Sequence, residues 1–184
     1  AVRLAPGAEQ REMSLLRWGL VPSWAEDPAI GNRLINARAE TAAEKPAFRS
    51  AFRQRRCLIP ADGFYEWQRH PGGKTPYYFS LRDKQPFAFA GLWERWQAPG
   101  GKVLETCTLL TTQANSLVQP VHDRMPVIVP AAEYDRWLDP SLHDPALLQP
   151  ILQPYAPEEM TAYAVSRWVN DPKHEDARCV QPPA

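Results

Sequence analysis

The sequence has no run of about 18 apolar residues that would cross a bilayer as a helix, and no basic-then-apolar leader ending in small residues. The expectation is a cytoplasmic protein. Cysteine is scarce: Cys57, Cys107 and Cys179 are odd in number, far apart and outside any CxxC or Cys/His spacing. That pattern excludes a disulfide framework and offers no zinc site, so each is expected to be reduced and buried, and neither a metal nor a cofactor is expected. Net charge is missing too, since 21 basic residues balance 21 acidic ones, which argues against indiscriminate attraction to nucleic acid. GxSxG, the phosphate loop, GxGxxG and HExxH are all absent, so ordinary hydrolase, nucleotide-binding and zinc-protease chemistries have no motif to stand on.

What is present is enough for a folded domain. Over 184 residues, 44% are apolar and 23% charged, too apolar for disorder and about the length of one well-buried domain. A single domain over 1–184 is the expectation. Proline is abundant, with 20 residues spread along the chain rather than packed into one tract, roughly twice the usual share of about 5%, and these punctuate many short elements. Apolar alternation predicts strands over residues 13–18, 56–60, 76–81, 87–96, 104–111, 127–129 and 161–165. Pro71-Gly72-Gly73 and Pro99-Gly100-Gly101 supply turns, so a run of antiparallel hairpins is expected. Helical spacing is confined to residues 46–54, 130–138 and 144–152. The predicted class is α+β: a β-rich, barrel-like antiparallel sheet with a few peripheral helices.

Against that frame, three polar knots stand out. In GFYEW, an extended chain puts Phe64 and Glu66 on one side and Tyr65 and Trp67 on the other, so a carboxylate stands among aromatics whichever face is buried. Such a carboxyl has a raised pKa and suits general acid–base work. An edge-strand glutamate open to water or paired with an arginine fits the stretch equally well. In HDRMPVIVP, His122, Asp123 and Arg124 crowd the mouth of a buried strand; the histidine titrates nearest neutrality, and its neighbours can orient it or hold an anion. In LINARAET, Asn36, Arg38 and Glu40 alternate, which would line a cleft if extended, or form a polar edge strand if not. Thr111, Thr112 and Asn115 add hydroxyl and amide groups after another strand, with an N-cap as the alternative role. Trp18 is expected in the core. Trp24, in a Gly/Pro-bearing loop, is either a lid on that core or a surface on which a base could stack. The arginines at 49, 53, 55 and 56 read as a solvated helix face.

Taken in order, WGLVPSWA, INARAET, RCLIPADGFYEW, FAFAGLWERW, TLLTTQAN, HDRMPVIV and VSRWVN resemble the SRAP domain, the SOS response-associated peptidase family, over the chain from about Arg17 to Pro182. The resemblance implies a compact β-rich fold with a positive cleft for single-stranded DNA. It also implies a DNA-damage role, associated with the nucleoid, in which an abasic sugar is captured as its open-chain aldehyde by an amino-terminal cysteine: the α-amine forms an imine and the thiolate closes a thiazolidine. By motif, Glu66 would be the general acid/base, Asn36 would position the amine and His122 would assist ring opening or proton transfer. Arg38, Arg124 and Thr111 would hold flanking phosphates, and Trp24 would wedge against bases. Removal of residues ahead of the cysteine, the peptidase activity of the family's name, would use the same groups.

The family's chain begins Met-Cys-Gly-Arg-Phe, whereas this sequence begins Ala1-Val2-Arg3. Either a preceding segment is missing here, which would leave apolar strand edges exposed, or the chain is a variant that binds DNA without covalent chemistry. Two further functional classes remain open: a protease acting on other proteins, and a non-catalytic module for single-stranded nucleic acid.

Overall fold

The computed structural model describes residues 1–5 and 10–183, in an α+β arrangement dominated by strands. The chain divides into two compact units. The first comprises Ala1–Pro60, Phe87–Thr112 and Pro126–Gln153, and the second Ala61–Pro86, Gln113–Met125 and Pro154–Ala184.

The first unit is built on a mixed sheet. Its long central strands are β8 (Phe87–Gln97) and β9 (Val103–Gln113), which form a hairpin closed at Pro99-Gly100-Gly101, where Gly101 takes φ +84°, a conformation only glycine adopts without strain. The order continues from β8 through β5 (Arg56–Ala61) to β1 (Val2–Leu4) and β2 (Arg11–Met13), with β11 (Ile128–Val129) also on β8 and β10 (Arg124–Pro126) also on β9. On one edge of β9 lie two short strands, β3 (Arg17–Trp18) and β4 (Asn36–Arg38). Both run parallel to it. The expected antiparallel hairpin is found in β8 and β9, and the parallel edge is an addition to it, because alternation marks a strand but not its partner's direction. The strand expected over 13–18 is likewise two strands, β2 and β3, with residues 14–16 between them.

Among the described residues, four short α-helices belong to this unit: α1 (Ala39–Ala42), α2 (Arg49–Gln54), α3 (Tyr134–Leu138) and α4 (Pro145–Leu148). The last three fall within the predicted helical stretches; α1 takes Glu40 out of the extended run. Phe52, Trp137, Leu148 and Ile151 from these stretches join Leu20, Leu58, Leu92, Leu110 and Val127 in one buried core. Arg56 locks two helix ends to that core. Its guanidinium donates to the carbonyls of Phe52 (2.6 Å) and Arg53 (3.1 Å) at the end of α2, and to those of Trp137 (2.6 Å) and Asp139 at the end of α3. A cation at helix C-termini is favoured by the backbone dipoles, although burial lowers its pKa to about 10. Arg55 is also engaged, donating to the buried Glu94 at 2.7 Å. Half of the arginine cluster read as a solvated face is therefore structural.

The second unit centres on a three-stranded antiparallel sheet, β12 (Met160–Ala164), β7 (Gly73–Leu81) and β6 (Phe64–His70), in that order. Its hairpin turns at Pro71-Gly72, with Gly73 at φ +127°. On one face Phe64 stacks on Phe79 at 5.1 Å; on the other Tyr65, Tyr78 and Tyr163 pack in a row, with ring centroids 5.2 and 5.9 Å apart. Gly63 is required here because a Cβ at that position would stand 2.3 Å from the Tyr78 ring. Cys57, Cys107 and Cys179 are free and buried, as expected.

Candidate functional site

In the second unit, the pleat of β6 puts Phe64, Glu66 and Gln68 on one face. Glu66 stands directly across from Tyr77, and Phe64 from Phe79. The carboxylate among aromatics expected from GFYEW is the arrangement found. Lying against this face is the segment Gln113–Met125, tied to β6 by the Gln68 side chain, whose Nε2 donates to the Pro120 carbonyl at 3.1 Å. The segment is folded on its own bonds. The Asn115 side-chain oxygen accepts the amides of Leu117 (3.1 Å) and Val118 (3.0 Å), and its nitrogen donates to the Tyr155 carbonyl at 2.8 Å. Asn115 is thus a buried bracket, the capping alternative of the two read from sequence.

That bracket brings His122 and Asp123 to Glu66. Partial burial pushes the Glu66 carboxyl above its ordinary range; His122 opposes the rise and Asp123 adds to it. His122 Nδ1 lies 3.1 Å from both the amide and the carbonyl of Arg124, and 3.4 Å from the Asp123 carboxylate. A neutral ring with Nδ1 bare accepts from the amide. A protonated ring donates instead to the carbonyl or carboxylate. The His122 side chain is 44% exposed, open to a ligand. Arg124 starts β10, half-buried.

The remaining predicted residues belong to the first unit. Along the edge of β9, Asn36 pairs with Leu109 and Arg38 with Thr111, so Asn36, Arg38 and Thr111 share one face while Ala37 and Leu110 point into the core. Asn36 and Arg38 are exposed. Glu40, expected on the same line, is on α1 instead. Trp24 projects from its loop, 60% exposed, with its indole N–H only 3.5 Å from the Pro46 carbonyl. Trp18 corrects the expectation of a core residue: it is 56% exposed and donates its indole N–H to the Ile35 carbonyl at 2.8 Å. Gln68 was not singled out from sequence, although its spacing of two from Glu66 on a strand was signal enough to put it on the same face. Among the described residues no cluster of three or more His, Cys, Asp or Glu is arranged for a metal, and no helix is long and apolar enough to cross a membrane.

A strand-borne glutamate facing a histidine from a bracketed loop is the kind of pair used for proton transfer, and the sequence around it matches a known family. The SOS response associated peptidase (SRAP) model matches residues 1–172, and the chain belongs to that family. Among relatives, it is 50% identical to the abasic site processing protein YoqW of Bacillus subtilis over 90% of this chain and 75% of that protein. It is 32% identical to the abasic site processing protein HMCES of Xenopus tropicalis over 94% of this chain and 58% of that one. A crystal structure of a protein from Bacteroides thetaiotaomicron superposes with TM-score 0.86 at 31% identity, over 98% of this chain and 79% of the other.

Proposed function

We propose that this protein processes abasic sites in single-stranded DNA as part of the DNA damage response, with Glu66 as the proton donor and acceptor and His122 as its partner. The observation that carries this reading is the tie of the His122-bearing segment to the face of β6 that holds Glu66, with the Glu66 carboxyl raised in pKa by burial, in a chain whose relatives bear the name abasic site processing protein.

The chemistry follows from the groups. An abasic deoxyribose opens from its cyclic hemiacetal to an aldehyde, a proton transfer suited to His122. A neutral amine adds to that carbonyl to give a carbinolamine. Loss of its hydroxyl as water needs a proton, and a carboxyl whose pKa is raised by burial is suited to supply one. A thiolate on the same amino-terminal residue then adds to the imine carbon and closes a thiazolidine, so aldehyde and aminothiol give ring and water. An α-amine with pKa about 7.7–8.0 and a thiol near about 8.5 are both partly deprotonated in neutral solution. Cys57, Cys107 and Cys179 carry no free α-amine, and burial pushes the thiols of Cys57 and Cys107 upward. The crosslink is assigned to an amino-terminal cysteine, as the family resemblance implies. Asn36 orients that amine; Arg38, Arg124 and Thr111 hold phosphates; Trp24 stacks on bases. Self-processing ahead of the nucleophile employs the same acid and base.

The test begins with amino-terminal sequencing of the native polypeptide by mass spectrometry. That protein is then incubated with a uracil-containing single-stranded oligonucleotide after uracil excision and run on a denaturing gel. A shifted band that is lost in Glu66→Gln is the expected result. A native protein that binds the oligonucleotide without any covalent band overturns the crosslinking assignment and favours a binding module, and cleavage of an unrelated peptide without crosslinking favours a protease.

A further inference from the structure

We infer that Gln68 is a positioning residue: its side-chain amide holds the Pro120 carbonyl and so keeps His122 against the strand face that bears Glu66. The inference rests on the acid–base reading of Glu66 and adds to it the device that sets the pair's geometry.

Strand alternation puts Gln68 one pleat beyond Glu66 on the same face, about 7 Å along β6. Pro120, its acceptor, lies inside a tight turn: the amides of Val121 and His122 both donate to the Val118 carbonyl, at 2.8 and 3.0 Å. Because that turn is closed on itself, fixing Pro120 fixes His122 two residues later. At its base the segment is held by Asn115 and by the Ala114 amide, which donates to the Asp123 carbonyl at 3.0 Å. Beyond that base and the buried Val118, the Gln68 bond (3.1 Å) ties the tip of the turn to β6. Since the bond is reached by solvent, water replaces it when it is lost, and the stability of the fold changes little. Reaction rate is far more sensitive, for a displacement of about 1 Å at a reacting pair costs on the order of 100-fold. The charged and titratable groups facing Glu66 are His122 and Asp123 from the segment and Tyr77 across the ladder on β7. The segment carries both His122, which opposes the raised Glu66 pKa, and Asp123, which adds to it, and burial is the largest influence, so a retreat that exposes Glu66 lowers its pKa.

Two variants of the native protein separate positioning from a structural role. Gln68→Met keeps the length of the side chain and removes the donor; Gln68→Lys restores a donor. The measurements are the single-turnover crosslinking rate against pH, DNA affinity, thermal melting, and amide hydrogen exchange at Val121 and His122. For Gln68→Met we expect unchanged melting and affinity, faster exchange at both amides, a rate lower by about 10- to 100-fold, and a pH profile whose Glu66 limb moves downward. Gln68→Lys should recover most of the rate. A Gln68→Met protein with wild-type rate and pH profile, or with unaltered exchange at Val121 and His122, overturns the inference. Glu66→Gln in the same assay keeps the two ideas apart: if it crosslinks at full rate the acid–base reading fails, whereas if it is inactive and Gln68→Met is normal only the positioning role fails.

Discussion

Glu66 is held in opposing fields: partial burial and Asp123 favour its neutral form, and His122 favours the anion, with burial the largest influence. A carboxyl whose folded pKa exceeds its unfolded value binds its proton more tightly in the folded state. Its contribution to stability is complete below the unfolded pKa and is lost as pH rises through the folded one. Glu66→Gln, which cannot ionise, should therefore melt at the same temperature as wild type below the unfolded pKa of a glutamate, about 4.3, and at a higher temperature once pH has risen past the folded pKa, while losing the covalent reaction. Thermal unfolding across that pH range checks the sign, and a variant less stable than wild type at alkaline pH contradicts it. The cysteines give a second residue-scale expectation. Cys57 is fully buried and its thiol pushed up by desolvation, with Cys107 less deeply placed on β9, so a thiol-alkylating reagent should label Cys57 only after unfolding. Mass spectrometry of native and denatured samples reads this directly. At this scale the sequence was informative where a side chain contradicted its surroundings, as Glu66 did among aromatics. It was uninformative for Trp18, whose size and Gly/Pro-rich setting suit a core and a surface alike.

The elements are short, and what holds them is tertiary. α2 and α3 have no side-chain cap at their N-termini and are too brief to persist on propensity alone; Arg56 instead gathers the carbonyls at both C-termini. Arg56→Met removes those donors while keeping bulk, and should cost roughly 3 kcal/mol in urea unfolding, the scale of charge-assisted bonds lost to buried acceptors. Arg56→Lys should restore only part, since an ammonium cannot span the fan of carbonyls that a guanidinium reaches. Gly63→Ala tests the corner between β5 and β6, where the new methyl would meet the Tyr78 ring and force overpacking worth about 1–3 kcal/mol. These dependencies explain which elements could be read from sequence. β7, β8, β9 and the two Pro-Gly-Gly turns were legible because alternation and left-handed glycines are local properties. β3 and β4 were not assigned to a parallel edge, because a two- or three-residue strand has no periodicity and its partner, β9, is some 70–90 residues away along the chain. Arg56 escaped for a related reason: nothing in a run of arginines says which one faces inward.

For the whole molecule, zero formal charge means that long-range attraction to a phosphate backbone is weak, and binding must come from a few local contacts. Of the four residues proposed for DNA contact, Trp24, Arg38 and Thr111 belong to the first unit and Arg124 to the second, and each is tested by itself. Each phosphate neutralised on a single strand releases counterions and steepens the fall of log Kobs with log salt by about 0.7. Arg38→Ala and Arg124→Ala should each lower the slope by about that amount and weaken binding across all sequences alike, because phosphate contacts carry no base information. Trp24→Ala should weaken binding by about 1–3 kcal/mol while leaving the slope untouched, since stacking releases no ions. Fluorescence anisotropy with a labelled single strand over a potassium chloride series distinguishes the two effects. If either arginine variant keeps the wild-type slope, that residue is not on the phosphate path, and if the Trp24 variant changes the slope but not the affinity at low salt, the indole is not a stacking platform. If all three match wild type, the DNA track runs elsewhere on the protein, and Glu66 and His122 would have to be reached from a direction that none of these side chains marks.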